Sequence, residues 1–156
     1  MTAIGMFVRK VIALGAFLLL ANSAWATEFS DKAERIFSPS VIESLHESGA
    51  SGEIAFKIPE RMPDYFESGD KANKVFAIES ARLFRDVPSL SRLTLRIPND
   101  GTVRVLDISR SDIEKHYGVD LAAMNGDPAA WRETFIQQHD TKGSRADFVK
   151  RFVREQ

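Results

Sequence analysis

Residues 92–108 read RLTLRIPNDGTVRVLDI, and most of the architecture legible in the chain follows from them. Leu93, Leu95 and Ile97 alternate with Arg92, Thr94 and Arg96, the two-residue period of a strand with one dry and one wet face. Asn99-Asp100-Gly101 then supplies residues that tolerate the positive φ of a tight turn, and residues 102–108 alternate again. The pattern predicts a β-hairpin.

Upstream, residues 52–59 (GEIAFKIP) place Ile54, Phe56 and Ile58 on one side and Glu53, Ala55 and Lys57 on the other, a third strand. Residues 59–70 read as a loop, with Pro59, Pro63 and Gly69. Asp70 is positioned to cap a long helix that runs to about Val87 and stops before Pro88. Ala72, Val75, Phe76, Leu83 and Val87 form its apolar stripe. Residues 27–49 read as helix in two pieces. Ser30 is a cap candidate before Ala33, Ile36 and Phe37; the helix restarts at Pro39 behind Ser38, carries Val41, Ile42 and Leu45, and ends at Gly49. Downstream, Ser109 opens a short helix that ends near Gly118, although Ser111 to Glu114 also fits a capping box. Asp127-Pro128 starts another helix, with Trp131, Phe135 and Ile136 on one side. A last helix covers residues 145 to about 155.

The expected order is α-α-β-α-β-β-α-α-α. It predicts an α+β fold in which a small three-stranded sheet, one strand plus the hairpin, carries helices on one face, with extra C-terminal helices. The other face, bearing Arg92, Arg96 and either Lys57 or Arg104, is expected to be wet.

The N-terminus reads differently. Arg9 and Lys10 precede VIALGAFLLLA, eleven uncharged residues at 11–21. That suits the core of an export signal and falls short of the roughly 20 residues a spanning helix needs. Ala24-Trp25-Ala26 offers small residues where a signal peptidase requires them, so the cut is expected between Ala26 and Thr27. Residues 1–26 are read as a cleavable signal peptide and 27–156 as a single soluble domain.

The leader holds two of the 21 basic residues and none of the 22 acidic ones, so residues 27–156 carry 19 against 22, a formal charge of −3. A binder dominated by phosphate contacts is normally basic, so nucleic acid is an unfavoured partner. The chain has no cysteine, which removes disulfides, thiol catalysis and thiolate metal sites. The combination suits a bacterial periplasmic or secreted protein held together by packing alone.

Catalytic signatures are few. HExxH, G-x-S-x-G, G-x-G-x-x-G and Walker A patterns are missing. Ser68-Gly69-Asp70-Lys71 matches S-x-x-K without its companions. Glu43 and His46 have the i, i+3 spacing of half a carboxylate di-iron site, but no second copy accompanies them, so a surface pair explains them. No metal and no cofactor is expected. Glu79 falls inside the apolar stripe of the long helix, where a carboxylate has its pKa raised or reaches a cation such as Arg82. Glu79 and His116 are the candidates for acid/base chemistry.

The binding candidates are more numerous. Arg92, Arg96 and Arg104 suggest a cationic patch on the hairpin for an anion or acidic partner. Tyr65 and Phe66, in a proline-bounded acidic loop, are either partner anchors or a lid on the core. Phe148, Val149, Phe152 and Val153 make the last helix basic and amphipathic, suited to a membrane surface, a partner groove or its own domain. The leading expectation is a non-enzymatic envelope accessory protein acting through protein–protein contacts. The alternatives are a small acid/base hydrolase acting on an envelope polymer and a peripheral membrane protein held by the C-terminal helix.

Overall fold

The computed structural model describes residues 28–156; the expected leader and its cleavage position lie outside the described residues. Helix α1 covers 28–36, followed by strands β1 (Ile42–Ser48) and β2 (Ser51–Phe56). A long helix, α2, spans 71–86. The hairpin is β3 (Arg92–Asn99) and β4 (Thr102–Ser109). Then come α3 (Arg110–Tyr117), α4 (128–139), α5 (Lys142–Phe152) and β5 (Val153–Glu155).

The sheet has five strands in the order β1-β2-β3-β4-β5, not three. β2 and β3 run parallel, joined across α2, and every other pair is antiparallel. Both added strands come from segments whose apolar spacing reads as helix.

The first correction falls on residues 39–49. After a single 3₁₀ turn at Pro39–Val41 the chain is extended, and β1 pairs with β2. Ile42 sits opposite Phe56 and Leu45 opposite Ile54, while Ser44 faces Ala55, so Glu43 is the extra residue of a β-bulge. Across the bulge, three residues on β1 span two on β2, and Ile42 and Leu45 reach the same face at a spacing of three. Bulge and helix therefore leave the same trace in the sequence. The second correction falls at the C-terminus. The helical stripe is real through Phe152, but Val153 is extended (φ −94°, ψ 135°). From there β5 pairs with β4, setting Val153 opposite Leu106 and Arg154 opposite Val105.

The hairpin follows its pattern. Asn99 pairs with Thr102, and Asp100 (φ 46°) and Gly101 (φ 84°) supply the two left-handed residues of the connection. Leu93, Leu95, Ile97, Leu106 and Ile108 are buried under the helices together with Ile54 and Phe56. α2 lies at the centre of that layer. Its middle turn, Val75–Glu79, widens to π-helical geometry, and Val75, Phe76, Ala77 and Ile78 are all buried. On the same face of the sheet α1 lies directly on β2: a Cβ on Gly52 would come within 2.4 Å of the Phe29 ring, a contact only glycine permits.

Helix ends explain themselves locally. The Ser109 hydroxyl accepts the Asp112 N–H at 3.2 Å, Asp127 that of Ala130 at 3.1 Å and Thr141 that of Ser144 at 3.2 Å. Gly118 (φ 67°) closes α3 by donating to the Glu114 carbonyl. Asp70 precedes α2 as expected but does not cap it. It is left-handed (φ 58°), and its carboxylate accepts from the Asn73 side chain at 2.7 Å and from Arg145 at 2.8 Å.

Candidate functional site

The helix-free face of the sheet is polar in every row. Moving across the register, His46, Glu53, Thr94 and Asp107 form one row, and Ser44, Ala55, Arg96, Val105 and Arg154 the next. Arg92 reaches diagonally to Asp107 with two hydrogen bonds, 2.8 and 2.9 Å, and Thr94 adds a longer one at 3.5 Å. Hydrogen bonding from Arg92 holds the Asp107 carboxyl below its usual range. Arg96 reaches diagonally to Glu53 on β2 at 2.9 Å and touches the Gln156 side chain at 3.5 Å. These diagonal pairs are the sheet's own charge complement.

Beside them the end of α5 and β5 rises over the face and encloses a concavity of ≈ 410 Å³, whose lining includes Thr94, Arg96, Arg151, Phe152, Arg154 and Gln156. Arg151 and Arg154 have no carboxylate within ion-pair distance among the described residues. Arg151 instead lies over the Phe152 ring, 5.2 Å from its centroid, and 3.4 Å from His116 Nδ1. Neither Arg151 nor Arg154 is conspicuous in the sequence, where both read as the wet side of a helix. The turn into β5 puts Arg154 on the sheet, and Arg151 lines the same concavity from the last turn of α5.

The five binding candidates read from the sequence divide between two places. Arg92 and Arg96 belong to the open face. Arg104 does not: it pairs with Ile97, whose side chain is in the core, so it points to the helix-covered side. There its guanidinium lies over Phe76 and donates to Asn73 at 3.0 Å. Phe66 is nearby on that side and is buried against Phe56, the lid reading of the aromatic loop. Tyr65 is half-buried, edge-on to Phe66, with the Lys71 ammonium 3.8 Å above its ring. Among the described residues the large apolar side chains left exposed are Ile58, just before this loop, and Met62 within it.

The acid/base candidates do not meet. Glu79 lies 3.3 Å from Arg82 as an ion pair, out of line for a hydrogen bond. Burial raises its pKa, against the pull of Arg82 and Lys74. It lines neither the sheet-face concavity nor the Arg104 cleft. His116 sits 35 residues away in sequence from Arg151, within a ring cluster of Tyr117, Phe148 and Phe152. Glu43 and His46 lie on a strand, Glu43 at the bulge, so the helical ligand geometry is lost.

The C-terminal stripe is spent on the core. Phe148 is fully buried and stacks on Tyr117 (interplanar angle 4°), while Val149, Phe152 and Val153 pack against the same cluster. Among the described residues no helix is long and apolar enough to cross a membrane.

His116 and His139 flank Tyr117, and burial holds both imidazoles below the ordinary histidine value, with Arg151 adding to the effect at His116. The folded chain therefore binds fewer protons than the unfolded chain in mildly acidic solution. Stability from this cluster is present at neutral pH and is lost as pH falls below about 6.5. Glu79 and Glu47, raised by burial, act with the opposite sign at lower pH. A chain with both His116→Gln and His139→Gln is expected to lose less Tm between about pH 7.5 and about 5.5 than the wild type, measured by thermal unfolding.

Compared with known proteins, the chain matches no family model, no curated protein and no solved structure at a significant level.

Proposed function

We propose that this chain is an exported, non-enzymatic binding module of the cell envelope, and that it seats an acidic segment of a partner protein on the open face of its sheet. One observation carries the reading. Four arginines, Arg92, Arg96, Arg151 and Arg154, line the ≈ 410 Å³ concavity against two aspartates, Asp107 and Asp112, and Arg151 and Arg154 have no carboxylate partner among the described residues. Glu53 and Asp107 are already engaged by Arg96 and Arg92, so Arg151 and Arg154 are left against Asp112 alone, an excess of positive charge. Guanidinium groups on a rigid sheet are well placed to receive carboxylates in planar, two-point contacts. The export signal read at residues 1–26 would deliver the domain to the periplasm or the medium.

The test is cross-linking in intact cells, followed by affinity capture of the tagged protein. Arg96→Glu with Arg154→Glu is expected to reduce recovery of a specific partner by about tenfold or more, with thermal stability close to wild type. Arg132→Glu on the exposed side of α4 makes the same kind of charge change away from the face and is expected to leave recovery unchanged. Equal recovery in both variants would remove the open face from the account.

A further inference from the structure

A second concavity lies on the helix-covered side, between the loop that precedes α2 and the hairpin ends. It measures ≈ 210 Å³, smaller than the roughly 300 Å³ at which pockets for drug-sized ligands begin. Phe66, Ala72, Ile97 and Pro98 supply apolar wall, and three charged residues, Arg104, Glu67 and Asp70, line it as well.

Arg104 is unusual for what it leaves undone. Arg104 is half-buried, and burial lowers its pKa. Yet among the described residues it has no carboxylate within ion-pair distance, whereas Arg82, Arg85, Arg92, Arg96, Arg110 and Arg145 each have one. A single hydrogen bond, to Asn73 Oδ1 at 3.0 Å, uses one of its five N–H donors. Glu67, an exposed residue of the lining, makes no ion pair or side-chain hydrogen bond among the described residues, Arg104 included, and is free to take a ligand's cation. Asp70, the other carboxylate in the lining, is saturated by Asn73 and Arg145. The Asn73 amide is fixed at both ends, accepting from Arg104 and donating to Asp70, so the guanidinium is held in place by a braced partner.

We propose that this cleft binds a small zwitterion, a free amino acid or a close analogue, with its carboxylate on Arg104 and its ammonium on Glu67. A carboxylate on Arg104 would recover the solvation the half-buried guanidinium has lost. A simple anion would gain that contact but meet Glu67 uncompensated. A zwitterion satisfies both ends and leaves its small side chain against Ile97 and Phe66.

The test is a titration of the isotope-labelled protein with free L-amino acids, followed by amide chemical shifts. The expected result is a saturable shift of the cleft residues, with Kd below about 10 mM for at least one amino acid. Arg104→Met is expected to weaken that binding at least about tenfold. Glu67→Gln, a change at an exposed position that does not threaten folding, is expected to abolish the preference for the free amino acid over its N-acetyl derivative. No saturable shift with any of the amino acids overturns the proposal, as does a preference for the free amine that survives Glu67→Gln. Partner capture through the open face is a separate measurement, and its outcome leaves this one standing.

Discussion

Phe148→Ala is expected to destabilise the domain by about 3–5 kcal/mol, the range for removing a fully buried phenylalanine. The ring is completely enclosed and touches three aromatic neighbours: Tyr117 stacked at 5.7 Å, His116 at 5.4 Å edge-on, and Phe152 at 4.9 Å on its own helix, with Tyr117 in turn meeting Phe135 at 4.8 Å. Helix α5 also packs on the widened turn of α2 and then hands the chain to β5, so a cavity at Phe148 loosens two layers at once. Chemical denaturation checks the magnitude through the midpoint at constant slope. The same variant decides what the amphipathic stripe is for. If α5 served a membrane surface, Phe148→Ala would leave the midpoint in place and abolish binding to anionic vesicles. The packing described here predicts the reverse, a large fall in midpoint with no vesicle binding to lose.

The hairpin was legible because nothing interferes with its period: β3 and β4 pair residue for residue over their whole length, and the turn chemistry sits at the turn. The long helix was legible for the complementary reason, since Pro88 marks its end and the stripe from Ala72 to Val87 is buried as expected. β1 was not legible. Its bulge converts the spacing of Ile42 and Leu45 from two to three, and a single sequence offers no way to tell that from a helix turn. β5 is three residues long, too short to establish any period, and it follows directly on a helix whose stripe it continues. The candidate site suffered from the same two gaps. Arg92 and Arg96 alternate visibly with the core leucines, so their face could be assigned. Arg104 requires the pairing register, since it shares β4 with outward-facing Val105 and Asp107 but lies opposite Ile97. Arg154 reaches the sheet only because β5 exists, and Arg151 joins it from the last turn of α5.

Arg145→Met is expected to cost about 2–3 kcal/mol, less than the full penalty for stranding a buried charge because the partners retain some solvent. The guanidinium donates from Nε to Asp70 at 2.8 Å and from Nη1 to Asp140 at 2.5 Å, with the arginine and Asp140 about equally buried, at 15 % and 14 % exposure. It thereby ties the start of α5 to the end of α4 and to the residue before α2. Lys74 reaches Asp140 at 3.5 Å but is itself largely exposed and makes a weaker point contact. A methionine keeps the packing of the stem while leaving two carboxylates near each other without their shared cation. Arg145→Lys is expected to recover only part of the loss, because a single ammonium cannot hold both carboxylates in the forked geometry. The consequence extends to the Arg104 cleft. Asp70 is left-handed and held there by Arg145 on one side and Asn73 on the other. Freed from Arg145, its carboxylate is able to turn towards Arg104, neutralise it and occupy the cleft. Arg145→Met should therefore weaken amino-acid binding as well as stability. Restoring stability by adding a compensating core substitution elsewhere should recover the unfolding midpoint and leave the binding defect unrepaired.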